Sequence, residues 1–199
     1  MQGEVQMYLR TIEPANATGE LADLYNAEIA SMGRVMAATQ CWSTRPDMIM
    51  PIERLLHQMR DNFSLGLLNF RLITFVAAKF VPSSYCSHVY FKLISNALGR
   101  DRALAIHRDY RTAGLTEQQV AMLAYAEQIT KDASRVSLTD IDELRSVGLS
   151  DLNIADIALA ASYRNFMSRY FDAVGASAEP DFLDADPDVR AEMAVGKPA

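Results

Sequence analysis

Between Leu65 and Val81 the chain carries Leu67, Leu68, Phe70, Leu72, Ile73, Phe75, Val76 and Phe80, with too few polar residues to make a wet face, and Pro82 stops the run. A helix that is apolar on every side has to be surrounded, so this stretch reads as a buried central helix on which other elements pack. Pro82 cannot extend it, because proline lacks the backbone N–H and its ring clashes with the preceding turn. A new helix can begin at once. Ser83 is a residue type that caps helix starts, and Gly99 closes the run that ends near Leu98. A buried helix, a tight reversal and a second helix therefore follow one another, with Cys86 in the first turn of the second.

Helical signals dominate the remainder, and strict two-residue alternation is missing. Thr18 is the expected cap of a helix from Gly19 to about Met32, with Leu21, Leu24, Tyr25, Ile29 and Met32 on one face and Gly33 ending it. A helix is expected from about Asp47 to Asp61 and a short one from Asp101 to Arg111. Thr116 with Gln119 forms a capping box for a helix to about Lys131. Ser137 opens a helix ended by Gly148, and Ser150 opens the longest one, to Val174, ended by Gly175. The fold class is all-α: a single-domain helical bundle of about seven to eight helices over residues 1–177. Residues 178–199 hold Pro180, Pro187 and Pro198 among acidic residues. They read as a tail with room for one short helix at Asp188 to Ala194, either mobile or clasping a neighbouring subunit.

A chain of 199 residues with 50% hydrophobic residues can bury one core. Its formal charge of -6 argues against nucleic acid and against an anionic membrane surface as partners. No apolar run approaches the roughly 18 residues of a membrane span. The opening MQGEVQMYLR lacks the charged-then-apolar layout of a signal peptide, so a cytoplasmic home is the default. Two cysteines, Cys41 and Cys86, are too few for a disulfide framework. His57, His88 and His107 are scattered without metal-ligand spacing, and no metal or organic cofactor is expected.

A thiol in the first turn of a helix faces unpaired N–H groups and the positive end of the helix dipole, and both favour thiolate. On a regular helix Ser83, Cys86 and Tyr90 share a face, while His88 points roughly 160° away from Cys86.

Four passages resemble the alkylhydroperoxidase-D-like, or carboxymuconolactone decarboxylase, superfamily: ATGELADLYN, FRLITFVAAKFVPSSYCSHVY, LTEQQVAMLAYAEQITKDASRVSLTDIDELRSVGLSD and NFMSRYFDAVG. Their order and spacing extend the resemblance over about residues 8–177. It implies the superfamily's helical bundle and a homo-oligomer, from dimer to hexamer. Peroxidase members carry a Glu on the buried helix, a C-x-x-C pair and a His four residues further on, which together form a thiol relay. At those positions this chain has Arg71, Ser83, Cys86 and Tyr90, so only one of the four groups survives and the C-x-x-C is degenerate. Without a second sulfur there, a dithiol cycle at this site is impossible. Cys41 could serve only where the fold brings it close. Decarboxylase-type members use acid/base groups; Tyr85 is similar to their Tyr, and His88 lies one step from where their His residues fall.

Arg71, Lys79, Tyr85, His88 and Tyr90 make a cationic and phenolic set suited to a small anionic or phenolic substrate, since an arginine grips a carboxylate with two prongs. Arg71, Tyr90, His88, Lys79 and Cys86 are the candidate catalytic residues. Arg71, Tyr85, Ser83, His57 and Trp42 are the candidate substrate-binding residues. Each has a plainer role beside it. Arg71 can snorkel to solvent, and Lys79 can serve its own helix C-terminus. Cys86 can be an inert buried relic, and Ser83 a cap. His57, Trp42 and Tyr163 can be ordinary packing residues. The leading expectation is an enzyme that needs no cofactor and cleaves C–C bonds by acid/base chemistry, of lyase or decarboxylase type. The alternatives are a single-cysteine hydroperoxide reductase built on Cys86, and a non-catalytic binding protein on the same scaffold.

Overall fold

The computed structural model describes residues 7–197, and among them ten α-helices follow one another with no strand. They are α1 (Glu20–Met32), α2 (Ala37–Gln40), α3 (Pro46–Asp61), α4 (Gly66–Phe80), α5 (Ser84–Leu98), α6 (Arg100–Asp109), α7 (Glu117–Asp132), α8 (Leu138–Ser146), α9 (Asp151–Val174) and α10 (Pro187–Met193). The first six residues, with most of the N-terminal stretch weighed as a signal peptide, and Pro198 with Ala199 lie outside the described residues.

The apolar run is the axis of the bundle. α4 packs against α5, α7 and α9, and eight of its 15 residues are buried. Phe70, Leu72, Ile73 and Phe75 are at most 1% exposed. Each such side chain contributes about 1.5–3 kcal/mol on burial, so tertiary packing holds this helix rather than helix propensity. The buried Thr74 hydroxyl is satisfied locally, donating to the carbonyls of Phe70 and Arg71 at 3.0 Å.

Helix starts follow the expected chemistry where a side chain could reach back. Thr116 with Gln119, Ser137 with Asp140, and Ser150 with Asn153 all form reciprocal capping boxes. Thr18 does not cap α1. The cap position falls on Gly19 with φ 58, where glycine's freedom turns the chain into the helix, and no side chain bonds there. The count also exceeds the expected seven to eight, because α2, a single turn, carries no periodicity to read.

The segment expected as a tail lies on its own chain. Glu179 accepts from the Ala37 N–H at 2.7 Å, and Asp181 pairs with Arg34. Arg100 holds Asp184 and Asp186, and Arg108 holds Glu192. Val189 and Met193 of α10 are 4% and 0% exposed, and Ser87 donates to the Met193 sulfur at 3.7 Å. The last turn reaches the α4–α5 reversal, where the Gly196 N–H donates to Ser84 Oγ at 3.0 Å. No helix among the described residues is long and apolar enough to cross a membrane.

Candidate active site

The α4–α5 reversal fixes Cys86. Val81 N–H closes α4 onto Ala77 O at 2.9 Å, and Ser83 N–H reaches back to Ala78 O at 2.9 Å. α5 then starts beneath this turn. Ser83 has the extended backbone of a cap (φ -103, ψ 105), but its hydroxyl bonds no N–H of the helix. Its conformation serves the turn, and its side chain neither caps nor joins Cys86.

Cys86 is 1% exposed and points at α9. There it meets two side chains one turn apart: Arg164 Nη1 donates to Cys86 Sγ at 3.2 Å, and Ser168 Oγ donates at 3.3 Å. The same guanidinium donates from Nη2 to the Tyr90 hydroxyl at 2.7 Å and lies over the Tyr90 ring, 4.7 Å from its centroid. The shared face of Cys86 and Tyr90 is thus real, and one arginine bridges it. His88, on the opposite side of α5, faces α10 and Arg190 instead.

Arg164 is 4% exposed and has no carboxylate partner among the described residues. Burial opposes its charge, while the Tyr90 and Cys86 groups beside it push its pKa up overall. Its Nε has no hydrogen-bond partner, and neither does the buried Tyr163 hydroxyl next along α9. A buried cation with a donor to spare, beside a thiol and a phenol, can hold negative charge on sulfur or on an oxygen brought to it.

The loop after α2 borders the same stretch of α9. The Tyr170 hydroxyl donates to Cys41 O at 2.9 Å, and Trp42 stacks on the Tyr170 ring at 3.7 Å. Tyr85, wholly buried, meets Phe171 edge-on at 5.2 Å. Burial, with the charge of Glu179 next, raises its phenol pKa well above the ordinary value. Cys41 Sγ donates to Ala38 O at 3.1 Å; burial first, and the nearby Cys86 second, push its thiol up to about 12.

Other expected site residues lie elsewhere. Lys79 Nζ donates to the carbonyls of His107 at 2.5 Å and Arg108 at 3.2 Å, so it completes the C-terminus of α6 rather than of its own helix. The cleft it lines, with Phe75, Phe80 and Tyr110, has a volume of about 40 Å³ and does not include Cys86. His57 sits on the surface between Glu53 and Asp61. Arg71 is half-buried on α4, and its guanidinium makes no hydrogen bond or ion pair with Cys86, Tyr90 or any other described residue. His88 is fully buried with both ring nitrogens unpartnered, and burial lowers its pKa to about 4. Lys79 and His88 are thus turned toward α6 and α10 rather than toward Cys86 and Tyr90.

The residues that do meet Cys86 went unnoticed in the sequence, although a signal was there. Ile157, Ala160, Ala161, Arg164, Met167, Ser168 and Phe171 occupy the buried face of α9 at helical spacing. A charged residue on that face is the same anomaly that singled out Arg71 on α4.

No protein-family model and no curated protein matches the sequence. Solved structures do match the fold. An uncharacterised peroxidase-related protein of Silicibacter sp. TM1040 superposes with a TM-score of 0.83 at 18% identity, over 92% of this chain and 96% of that one. The alkylhydroperoxidase-core, peroxidase-related protein of Ralstonia eutropha JMP134 gives 0.80 at 18%, over 90% and 95%. A cysteine-to-alanine variant of the debrominase Bmp8, in complex with 2,3,4-tribromopyrrole, gives 0.74 at 16%, over 92% and 94%. The chain has the alkylhydroperoxidase-core fold that its sequence resemblance implied.

Proposed function

We propose that the protein is a cysteine-dependent enzyme that reduces small hydroperoxides, with Cys86 as the attacking sulfur. The observation that supports this most is the wholly buried Arg164, which has no carboxylate and spends its two terminal nitrogens on Cys86 and Tyr90. The sulfur attacks the distal oxygen of R–O–O–H and the O–O bond breaks. The hydroxyl stays on sulfur as the sulfenic acid, and the departing alkoxide takes a proton to leave as the alcohol. Arg164 and Ser168 both donate to the sulfur that attacks, and the free Nε of Arg164 is a donor available to the departing oxygen. Two equivalents of an external thiol return the sulfenic acid to thiol, releasing water and their own disulfide.

Acid/base C–C cleavage has less support on this reading, since Lys79 bonds α6 carbonyls and His88 faces Arg190 rather than Tyr90. The deciding assay is hydroperoxide consumption with a thiol reductant, comparing wild type with Cys86→Ser. Turnover lost in the variant is the expected result; equal turnover in both overturns the reading. The fold likeness to a debrominase makes a halogenated pyrrole the next substrate to try on the same pair.

The working form on this reading is a homo-oligomer. Leu152, Leu159 and Phe166 stand exposed in one line on α9 at seven-residue spacing. The line runs from Asp151 to Arg169, opposite charges that two antiparallel copies would bring together. Light scattering after size exclusion tests it, and a monomer that stays monomeric at working concentration refutes it.

A further inference from the structure

Cys86 keeps the place of the second cysteine of the C-x-x-C, but Ser83 stands where a neighbouring sulfur would resolve its sulfenic acid. The only other sulfhydryl in the chain is Cys41. We propose that Cys41 is the resolving thiol of this site, delivered by movement of the one-turn helix α2 and the loop that follows it. The inference rests on the reading of Cys86 as the attacking sulfur.

The placement carries it. Cys86 is held by Ser168 of α9, and Cys41 is held by Tyr170 of the same helix, half a turn further on. From the α5 side, Tyr85 precedes Cys86 and sits against the Ala38 backbone. Cys41 Sγ is bonded to the carbonyl of that same Ala38. Both cysteines therefore border residues 168–171 of α9 and Tyr85 of α5, Cys41 through its backbone carbonyl, and each is 1% exposed. In support, each thiol lies close enough to Tyr85 to act on its charge.

The carrier of Cys41 is a single helical turn held by contacts from other elements. α2 has four residues and no side-chain cap on its own chain segment. Two carboxylates from elsewhere hold its start: Glu28 accepts from the Met36 N–H at 2.9 Å and from the Thr39 hydroxyl, and Glu179 accepts from the Ala37 N–H at 2.7 Å. Gly33, at φ 78, ends α1 just before it. In the resting enzyme burial keeps the Cys41 thiol protonated. That leaves Cys86 as the sulfur that meets peroxide first.

The step balances. The Cys41 sulfur attacks the sulfenic sulfur of Cys86, the S–OH bond breaks, and the hydroxyl leaves as water with the Cys41 proton. The product is a Cys41–Cys86 disulfide. Two equivalents of an external thiol reduce it and carry away the electrons as their own disulfide.

The test treats reduced protein with equimolar hydrogen peroxide in the presence of dimedone, which traps sulfenic acid, and maps peptides without reduction. Wild type is expected to yield the peptide of residue 41 linked to that of residue 86, with little dimedone adduct. Cys41→Ser, with Cys41→Ala as a second variant, is expected to lose the linked peptide and carry the adduct on Cys86. A wild type whose Cys86 takes dimedone as fully as the variants, with no linked peptide, overturns the resolving role and leaves the proposed function standing. So does a disulfide joining two copies of Cys86. A wild type in which Cys86 is not oxidised at all overturns the proposed function itself, and this role with it. The wild-type map decides the matter even where a variant fails to fold.

Discussion

Arg164 Nη1 lies 3.2 Å from Cys86 Sγ, in a site where the guanidinium is 4% exposed and meets no carboxylate among the described residues. Burying a cation costs desolvation, and here Tyr90 and Cys86 offset that cost in place of a carboxylate. A methionine of similar length would fill the space without that cost. Arg164→Met is therefore expected to change stability by no more than about 1 kcal/mol in either direction. It is also expected to slow oxidation of Cys86 by hydrogen peroxide roughly a hundred-fold or more, the usual loss when one charge-stabilising donor is removed. Stopped-flow oxidation alongside urea unfolding separates the two readouts. An unfolded variant would make Arg164 structural, and an unchanged rate would remove it from the chemistry.

Burial lowers the pKa of both His88 and His107 to about 4, below the ordinary value of 6.5. Between those values the unfolded chain binds more protons than the folded one. Stability is then fully present above pH 6.5 and falls as the pH drops toward 4. His88 alone accounts for about 2 kcal/mol of loss by pH 5. Half-buried Glu28 and Glu53 and buried Glu179, whose pKa values are raised by burial, act in the opposite sense, so the histidine effect is read as a difference. Because neither His88 nitrogen has a partner, His88→Leu leaves no group stranded. Urea unfolding is expected to find the variant as stable as wild type at pH 7 and clearly more stable at pH 5. Parallel curves at the two pH values would refute the assignment.

The bundle was legible in the sequence wherever local chemistry decides structure. Pro82, Gly33, Gly99 and Gly175 end helices as read, and the three capping boxes follow from Ser or Thr with a partner three residues on. Cys86 and Tyr90 share a face because i and i+4 must. What stayed hidden depends on residues far apart in the chain. Arg164 reaches Cys86 across 78 positions, and no periodicity within α5 announces it. Lys79 read as a cap for its own helix, yet it bonds the end of α6 from 28 positions away. Arg71 drew notice as a charge on an apolar helix. The same test applied to the buried face of α9 would have found Arg164.

The C-terminal segment closes on the α4–α5 turn with no room to spare. A Cβ on Gly196 would lie 2.0 Å from the Pro82 carbonyl oxygen, which belongs to backbone and cannot yield cheaply. Gly196→Ala is expected to lift the last residues from Ser84, costing about 1 kcal/mol. Since α5 begins at that contact, alkylation of Cys86 by a small reagent such as iodoacetamide should become faster. Unchanged alkylation would mean that the thiol is reached from another side.

α2 is pinned by carboxylates that come from α1 and from the C-terminal segment, and this sets how easily Cys41 can move. Glu179 provides one of the pins, on the Ala37 N–H at 2.7 Å, and its other oxygen is buried without a partner. Glu179→Ala leaves that N–H unpaired, at a cost of about 1–2 kcal/mol to local order. It does not touch Cys86, Arg164 or Ser168. The first oxidation of Cys86 should therefore keep its rate, while the following formation of the Cys41–Cys86 disulfide should speed up, because less has to be broken before α2 swings. Stopped-flow peroxide consumption reads the first step, and acid-quenched thiol counting reads the second. Faster disulfide formation at constant peroxide reactivity identifies α2 as the moving part. An unchanged second step would mean that Cys41 reaches Cys86 without α2 leaving its place.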